Sequence, residues 1–181
     1  MSVIAIFGPN KSGKTLTLIA RSRPYEVAKK KVLYIQPTLN VRDELLQSRS
    51  GLSQDAQKID RISKIDIDQY EVIVIDEFHM FPASDVDFIR KYRDKKVFIL
   101  AGLDIDYKAD VMESVKELYR IQPDEIIRQT AVCDNCSALD ARFTSVTDAK
   151  DKPIPRSSNS ILPDDGTLRY TALCYRCFDN F

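Results

Sequence analysis

The chain has 181 residues, 44% of them hydrophobic, and its 27 Lys and Arg are balanced by 27 Asp and Glu. That length and apolar content suit one ordinary domain, or one with a small appendage, and exclude a wholly disordered chain. Zero net charge excludes the broad basic field that draws nucleic acid non-specifically, and no apolar run approaches the roughly 20 residues that span a bilayer.

In chain order, the apolar strand Val3-Ile4-Ala5-Ile6-Phe7 runs directly into Gly8-Pro9-Asn10-Lys11-Ser12-Gly13-Lys14-Thr15, a complete G-x-x-x-x-G-K-[ST] loop. Its glycines let the backbone curl so that successive N–H groups face phosphate oxygens. Lys14 supplies a point charge for the β- and γ-phosphates, and the Thr15 hydroxyl is placed to ligate magnesium. A helix expected over Leu16 to Arg21 offers the positive end of its dipole to the same anion. Strand, loop and helix in this order point to a nucleoside triphosphate. A strand so close to the start leaves no room for a signal or transit peptide, so a cytoplasmic protein is expected.

Pro24 is expected to end or kink the first helix. Lys31 to Gln36 reads as a second strand, entered from the solvated basic patch Lys29-Lys30-Lys31. From Pro37 to about Asp60 the sequence is polar and without a clean period, a loop with some helix around Val41 to Gln47; such long excursions tend to be functional. Glu71-Val72-Ile73-Val74-Ile75-Asp76 is an apolar run ending in an acid, the pattern of a fully buried parallel strand. Ser84 is a candidate cap for a helix through Asp85 to Tyr92, with Val86, Ile89 and Phe88 toward its apolar face. Lys96 to Gly102 is another buried strand, and Ala109 to Tyr119 a helix. Alternating strands and helices give an α/β class with a parallel sheet.

Two acids close the central strand. Asp76 stands where phosphate-loop proteins carry a carboxylate for magnesium, bound directly or through water. Glu77, one residue on, can reach a substrate hydroxyl in line with the γ-phosphate and take its proton. The alternative is that both acids cap the helix that follows. His79, the single histidine, is either a satisfied structural residue or a proton carrier. Asp76-Glu77-Phe78-His79 also spells a DExH box, but translocases of that type resemble two tandem lobes, and this length supplies one lobe plus an appendage.

The last third changes character. Cys133-Asp134-Asn135-Cys136 and Cys174-Tyr175-Arg176-Cys177 are two C-x-x-C knuckles, and no other cysteine is present. Together they suit one tetrahedral zinc site with no open position, hence a structural metal; a disulfide framework is the alternative. The wide separation is tolerable because loop-closure entropy grows only logarithmically with length. Such a site would pin the ends of the polar stretch Thr147 to Thr167 and make it a tethered loop. Two units follow: a phosphate-loop domain over residues 1–130 and a zinc-binding subdomain over residues 131–181.

With these residues assembled, the chain resembles the thymidine kinase family, whose members join a P-loop NTPase-like ATP-binding domain to a zinc-bearing lasso. Gly8 to Thr15 carries its Gly-Pro-x-x-Ser-Gly-Lys-Thr, and Ser48-Arg49-Ser50-Gly51-Leu52-Ser53 is similar to the bacterial Ser-Arg-x-Gly-Leu-Ser. Ile75-Asp76-Glu77-Phe78-His79-Met80-Phe81 parallels Asp-Glu-x-Gln-Phe-Phe, and Leu103-Asp104-Ile105-Asp106-Tyr107 parallels Leu-Asp-Gly-Thr-Phe. Thr130-Ala131-Val132-Cys133 leads into the first knuckle as in the family. The resemblance implies that ATP with magnesium donates its γ-phosphoryl group to the 5′-hydroxyl of thymidine, giving dTMP for DNA synthesis, with Glu77 as base. It implies a nucleoside pocket walled by Phe81, Leu103, Tyr107 and Met112, with Phe143, Thr144 and Tyr170 from the lasso. It further implies a homotetramer and dTTP as a feedback inhibitor, with no nucleic-acid or membrane partner.

The chain departs from the family's pattern at Asn10-Lys11 for Met-Phe, His79 for Gln, and Val146 for Arg or Lys. Pro163 to Arg169 also replaces a Gly-Gly-containing stretch before Tyr170, where backbone reads the base. A kinase of another or modified deoxynucleoside is therefore the alternative acceptor reading. A non-catalytic nucleotide- or nucleic-acid-binding module is the alternative to a kinase.

Overall fold

A computed structural model describes residues 1–40, 46–47, 51, 53–155, 157–162 and 166–181, with backbone alone at 46 and 47. β1 (Val3–Phe7) is buried at every position and hands the chain to the phosphate loop and then to α1 (Lys14–Val27). β2 (Val32–Pro37) follows, then the two-residue strands β3 (Leu46–Gln47) and β4 (Ser53–Gln54), and β5 (Gln57–Ile59). Next come β6 (Val72–Ile75), α2 (Val86–Tyr92), β7 (Val97–Gly102), α3 (Glu113–Arg120) and β8 (Glu125–Arg128). β9 (Phe143–Thr147), β10 (Arg169–Leu173) and α4 (Tyr175–Asp179) complete the chain.

The six longer strands of the first two-thirds form one parallel sheet in the order β5-β2-β6-β7-β1-β8. Alternate strand residues feed two cores, as the two-residue period of a strand requires. Val3, Ala5, Phe7, Leu33, Ile35, Ile73, Ile75, Phe98 and Leu100 meet Val86 and Ile89 of α2 and Val115 and Leu118 of α3. Ile4, Ile6, Tyr34, Val72, Val74, Ile99 and Ala101 meet Leu18 and Ile19 of α1 on the other face. Burial on both faces is why these strands read as unbroken apolar runs. It also leaves the carboxyl ends of β1, β6 and β7 as the place where loops can gather polar groups, the usual ligand-binding edge of such sheets.

Several expectations change. α1 does not end at Pro24 but runs on to Val27, with Ala28 N–H bonded to the Pro24 carbonyl at 3.0 Å. Proline removes only its own N–H from the ladder, and Tyr25 packs against the α1-side core and holds the last turn. Ser84 caps nothing with its side chain; its hydroxyl accepts from Arg61 at 2.9 Å. The organising acid is Asp85, fully buried, whose carboxylate takes Ile62 N–H at 2.7 Å, Arg61 Nε at 2.9 Å and Ser63 Oγ at 3.0 Å. α3 starts at Glu113, not Ala109, because Ala109 sits at φ 69° and Ile105 bridges Val111, closing residues 105–111 into a turn.

In the polar excursion, Leu46–Gln47 pairs antiparallel with Ser53–Gln54 in place of helix. The rest of the expected helix, residues 41–45, and Ser48, Arg49, Ser50 and Leu52 of the Ser-Arg-x-Gly-Leu-Ser match lie outside the described residues, as do Pro163, Asp164 and Asp165.

Beyond β8 a third core forms around Ala131, Cys133, Ala141, Ala172, Leu173 and Cys174, roofed by the antiparallel hairpin β9–β10 and joined by Phe178 of α4. No helix of the described residues is long and apolar enough to cross a membrane.

Candidate active site

The loop after β1 is shaped by close approach. A Cβ on Gly8 would lie 2.6 Å from the Gln129 carbonyl oxygen and 2.8 Å from Ser12 Oγ, so only glycine fits. Gly13, at φ 83°, turns the chain into α1. Lys14 is buried, and its ammonium donates to the Pro9 carbonyl at 2.8 Å, curled over the loop it serves. Across β7, the carboxyl end of β6 delivers Asp76, whose Oδ2 accepts from Thr15 Oγ1 at 3.0 Å while its Oδ1 accepts from Glu77 N–H at 3.0 Å. Two hard oxygens, one from the first turn of α1 and one from the end of β6, therefore already touch, the donor chemistry that magnesium takes.

Glu77 adopts a left-handed backbone, φ 48° and ψ 40°, and opens a tight three-residue helical turn over Phe78–Met80. In such a turn residues three apart eclipse. Phe78 and Phe81 consequently share the core side, exposed by 0% and 1%, while Glu77 and Met80 share the side that lines a pocket.

That pocket, about 490 Å³ with its open mouth, is walled by Asn10, Glu77, His79, Met80, Leu103, Asp106, Tyr107, Thr144, Val146, Ser160, Ile161, Leu162 and Tyr170. Of the nucleoside-binding residues expected from sequence, Leu103, Tyr107, Thr144 and Tyr170 stand there beside Glu77. Phe81 and Met112 belong to the core on the α2–α3 face, and Phe143 stacks on Phe178 with centroids 4.4 Å apart. Met80 occupies the wall in place of Phe81, and the three-residue turn is the signal that would have found it. Asp106 is 2% exposed; its Oδ1 accepts from the Lys108 and Asp110 amides at 2.8 and 2.9 Å, and Oδ2 faces Lys108 Nζ at 3.6 Å. Nothing in the sequence pattern marked Asp106, Ser160, Ile161 or Leu162 as pocket residues.

The tethered loop closes over this pocket. Tyr107 donates its hydroxyl to the carbonyls of Pro155 at 3.0 Å and Ser158 at 3.2 Å, and Lys108 reaches the same Ser158 carbonyl at 3.3 Å. The hairpin also grips the phosphate loop directly. Asn10 N–H donates to Thr144 Oγ1 at 3.0 Å, and the Lys11 ammonium meets both carboxylate oxygens of Asp134 at 2.7 Å. Asp134 sits inside the first knuckle, so the Cys-x-x-Cys unit and the phosphate loop are in contact.

The four thiol sulfurs of Cys133, Cys136, Cys174 and Cys177 lie within 4.8 Å of one another and form no disulfide. Four thiolates at Zn–S ≈ 2.3 Å in a tetrahedron stand about 3.8 Å apart, and Cys136 and Cys174 are separated by 3.6 Å. The group is thus sized to hold a metal ion. Burial acts to raise the Cys133 thiol, but backbone N–H groups of Cys174, Cys136 and Asn135 outweigh it and bring the thiol down to about 6, toward the ligating thiolate.

Compared with known proteins, residues 1–178 match the family model described as thymidine kinase. The thymidine kinase of Thermococcus kodakarensis is 34% identical over 93% of this chain and 89% of its own length. That of Pyrobaculum aerophilum is 28% identical over 96% of each chain. That of Mycoplasmoides gallisepticum is 30% identical over 94% of this chain and 77% of its own.

Proposed function

The chain belongs to the thymidine kinase family, an ATP-dependent phosphotransferase acting on thymidine, and from that premise we propose how its residues carry the reaction. The amides of Gly8 to Thr15, with Lys14, cradle the triphosphate. Thr15 and Asp76 would hold the magnesium that accompanies ATP, which when bound neutralises phosphate charge as the γ-phosphoryl group moves. Glu77 accepts the proton of the 5′-hydroxyl while that oxygen forms its bond to the γ-phosphorus. The bond from γ-phosphorus to the bridging oxygen breaks, and ADP leaves with the electron pair. Leu103, Tyr107, Thr144 and Tyr170 surround the nucleoside and exclude water, with Phe81 and Met112 backing the pocket from the core and Phe143 supporting the hairpin through Phe178. The observation that carries this reading is the contact of Thr15 with Asp76, the residue next to Glu77, which lines the pocket.

Zinc is the metal proposed for the four cysteines, since four soft thiolates leave no open position and suit a structural cross-link. The division into a domain over residues 1–130 and a lasso over 131–181 is supported by the separate core around Ala131 and Cys133. A homotetramer, dTTP as feedback inhibitor and a cytoplasmic location complete the proposal, the last supported by cysteines that stay unpaired.

The acceptor is tested by incubating the metal-loaded protein with ATP and a panel of labelled deoxynucleosides. Thymidine is expected to show the highest kcat/KM. The polar groups of Asn10 and Asp106 in the pocket wall favour a second reading, in which another or modified deoxynucleoside outranks thymidine.

A further inference from the structure

Ser160, Ile161 and Leu162 form one wall of the pocket. Yet residues 159–162 make no hydrogen bond to any described residue and belong to none of the three cores. A segment with so little of its own holding it takes its position from the chain beside it. The preceding stretch is pinned. Thr147 bridges Pro153, and Ile154 N–H donates to the Val146 carbonyl at 3.1 Å, tying the start of this strap to β9. Ser158 N–H then donates to the Pro155 carbonyl at 3.0 Å and closes a turn.

The loop after β7 clasps that turn. The Tyr107 hydroxyl shares its one hydrogen between the carbonyls of Pro155 at 3.0 Å and Ser158 at 3.2 Å, and the Lys108 ammonium donates to Ser158 at 3.3 Å. The clasp has a fixed base. Asp106 N–H donates to the Asp110 carbonyl at 2.8 Å, Asp106 Oδ1 takes the Lys108 and Asp110 amides, and Ile105 bridges Val111. Asp106 Oδ2 is buried, accepts no hydrogen bond and faces the Lys108 ammonium at 3.6 Å. A buried carboxylate without its cation is costly, so Lys108 is held at this spot instead of swinging into solvent. Tyr107 stands where the family pattern has Phe, so the hydroxyl is what this chain adds.

We propose that the Tyr107 hydroxyl and the Lys108 ammonium form a latch that keeps residues 158–162 shut over the bound nucleoside and sets how long it stays. This rests on the reading of the pocket as the nucleoside site. The Tyr107 ring walls the pocket, whereas its hydroxyl and Lys108 are positioning groups that act on the nucleoside through the turn at Ser158. Closing segments of this kind commonly govern release. None of the latch bonds involves the phosphate loop, so affinity for ATP is not expected to depend on them.

Tyr107→Phe deletes the hydroxyl and keeps the ring, Lys108→Met deletes the ammonium and keeps the stem, and Lys108→Arg keeps a cation. On metal-loaded protein, with thermal melts to show folding, three quantities are measured: the thymidine dissociation rate, the affinity for ATP, and amide exchange across residues 158–162. Thymidine is expected to leave about three- to tenfold faster from Tyr107→Phe, faster still from the double variant with Lys108→Met, and at close to the wild-type rate from Lys108→Arg. Amide exchange is expected to rise in the same order, with ATP affinity unchanged. An unchanged thymidine dissociation rate in the folded double variant overturns the proposal, as does a matching loss of ATP affinity. Wild-type protein that binds no thymidine overturns the nucleoside-site reading and this proposal with it. Amide exchange, which needs no nucleoside, separates that failure from a latch that does not hold the strap.

Discussion

At the scale of single residues, the site depends on positions where another side chain has no room or the wrong reach. Gly8 is one: a Cβ there would lie 2.6 Å from the Gln129 carbonyl oxygen, so its absence is what lets the loop pass. Gly8→Ala is expected to displace the loop, cost about 1–3 kcal/mol of stability and raise KM for ATP well above its effect on KM for thymidine; melts with kinetics for both substrates check this. Residue identities along Gly8 to Thr15 were legible because the motif is contiguous and each member has its own chemical task. Met80 was not, since choosing between it and Phe81 requires the geometry of the three-residue turn that eclipses Phe78 with Phe81 and Glu77 with Met80. Asp106 was invisible for a similar reason. Its burial follows from a turn that wraps the Lys108 and Asp110 amides around one carboxylate oxygen.

At the scale of elements, the central strands could be read from sequence because both faces are buried and the runs are unbroken. The edge strands could not. β8 alternates partly buried and exposed residues, and β5 carries Gln57 and Lys58 at exposed positions, so neither has the run that marks β1, β6 or β7. α1 outlasted Pro24 because one lost N–H weighs less than the packing of the final turn. The hairpin's grip on the phosphate loop was also outside sequence reach, since Lys11 and Asp134 are 123 residues apart. That ion pair is about one-third exposed on each side, so its direct worth to stability is small, about 0.2–1 kcal/mol. Its expected effect is on the loop: Lys11→Ala, paired with Thr144→Val to remove the acceptor of Asn10 N–H, should raise KM for ATP several-fold at nearly unchanged melting temperature. Equal ATP constants in the double variant and wild type would detach the hairpin from the phosphate loop.

At the scale of the whole molecule, the sheet and the cysteine unit meet at one pocket, and each supplies part of it. β1 and β6 bring the phosphate loop, Asp76 and Glu77; β9, β10 and the loop between them bring Thr144, Val146, Ser160 and Tyr170. The sheet has a large core of its own, whereas the core around Cys133 and Cys174 is small and suits reinforcement by a metal. Chelation should therefore release one zinc per chain, abolish thymidine binding and weaken ATP binding only several-fold, the share supplied by the contacts of Asn10 and Lys11 with the cysteine unit, as metal analysis and titration of each ligand check. Loss of both affinities together would make the metal a prop for the entire fold.

The most direct test of the account compares wild-type protein with Glu77→Gln, each metal-loaded, for ATP binding and for dTMP formed from ATP and thymidine. The account predicts that wild type forms dTMP with one ADP for each, and that Glu77→Gln binds ATP normally but turns over about 100-fold more slowly or worse. Unimpaired turnover in Glu77→Gln, or folded wild-type protein that forms no dTMP, would contradict it.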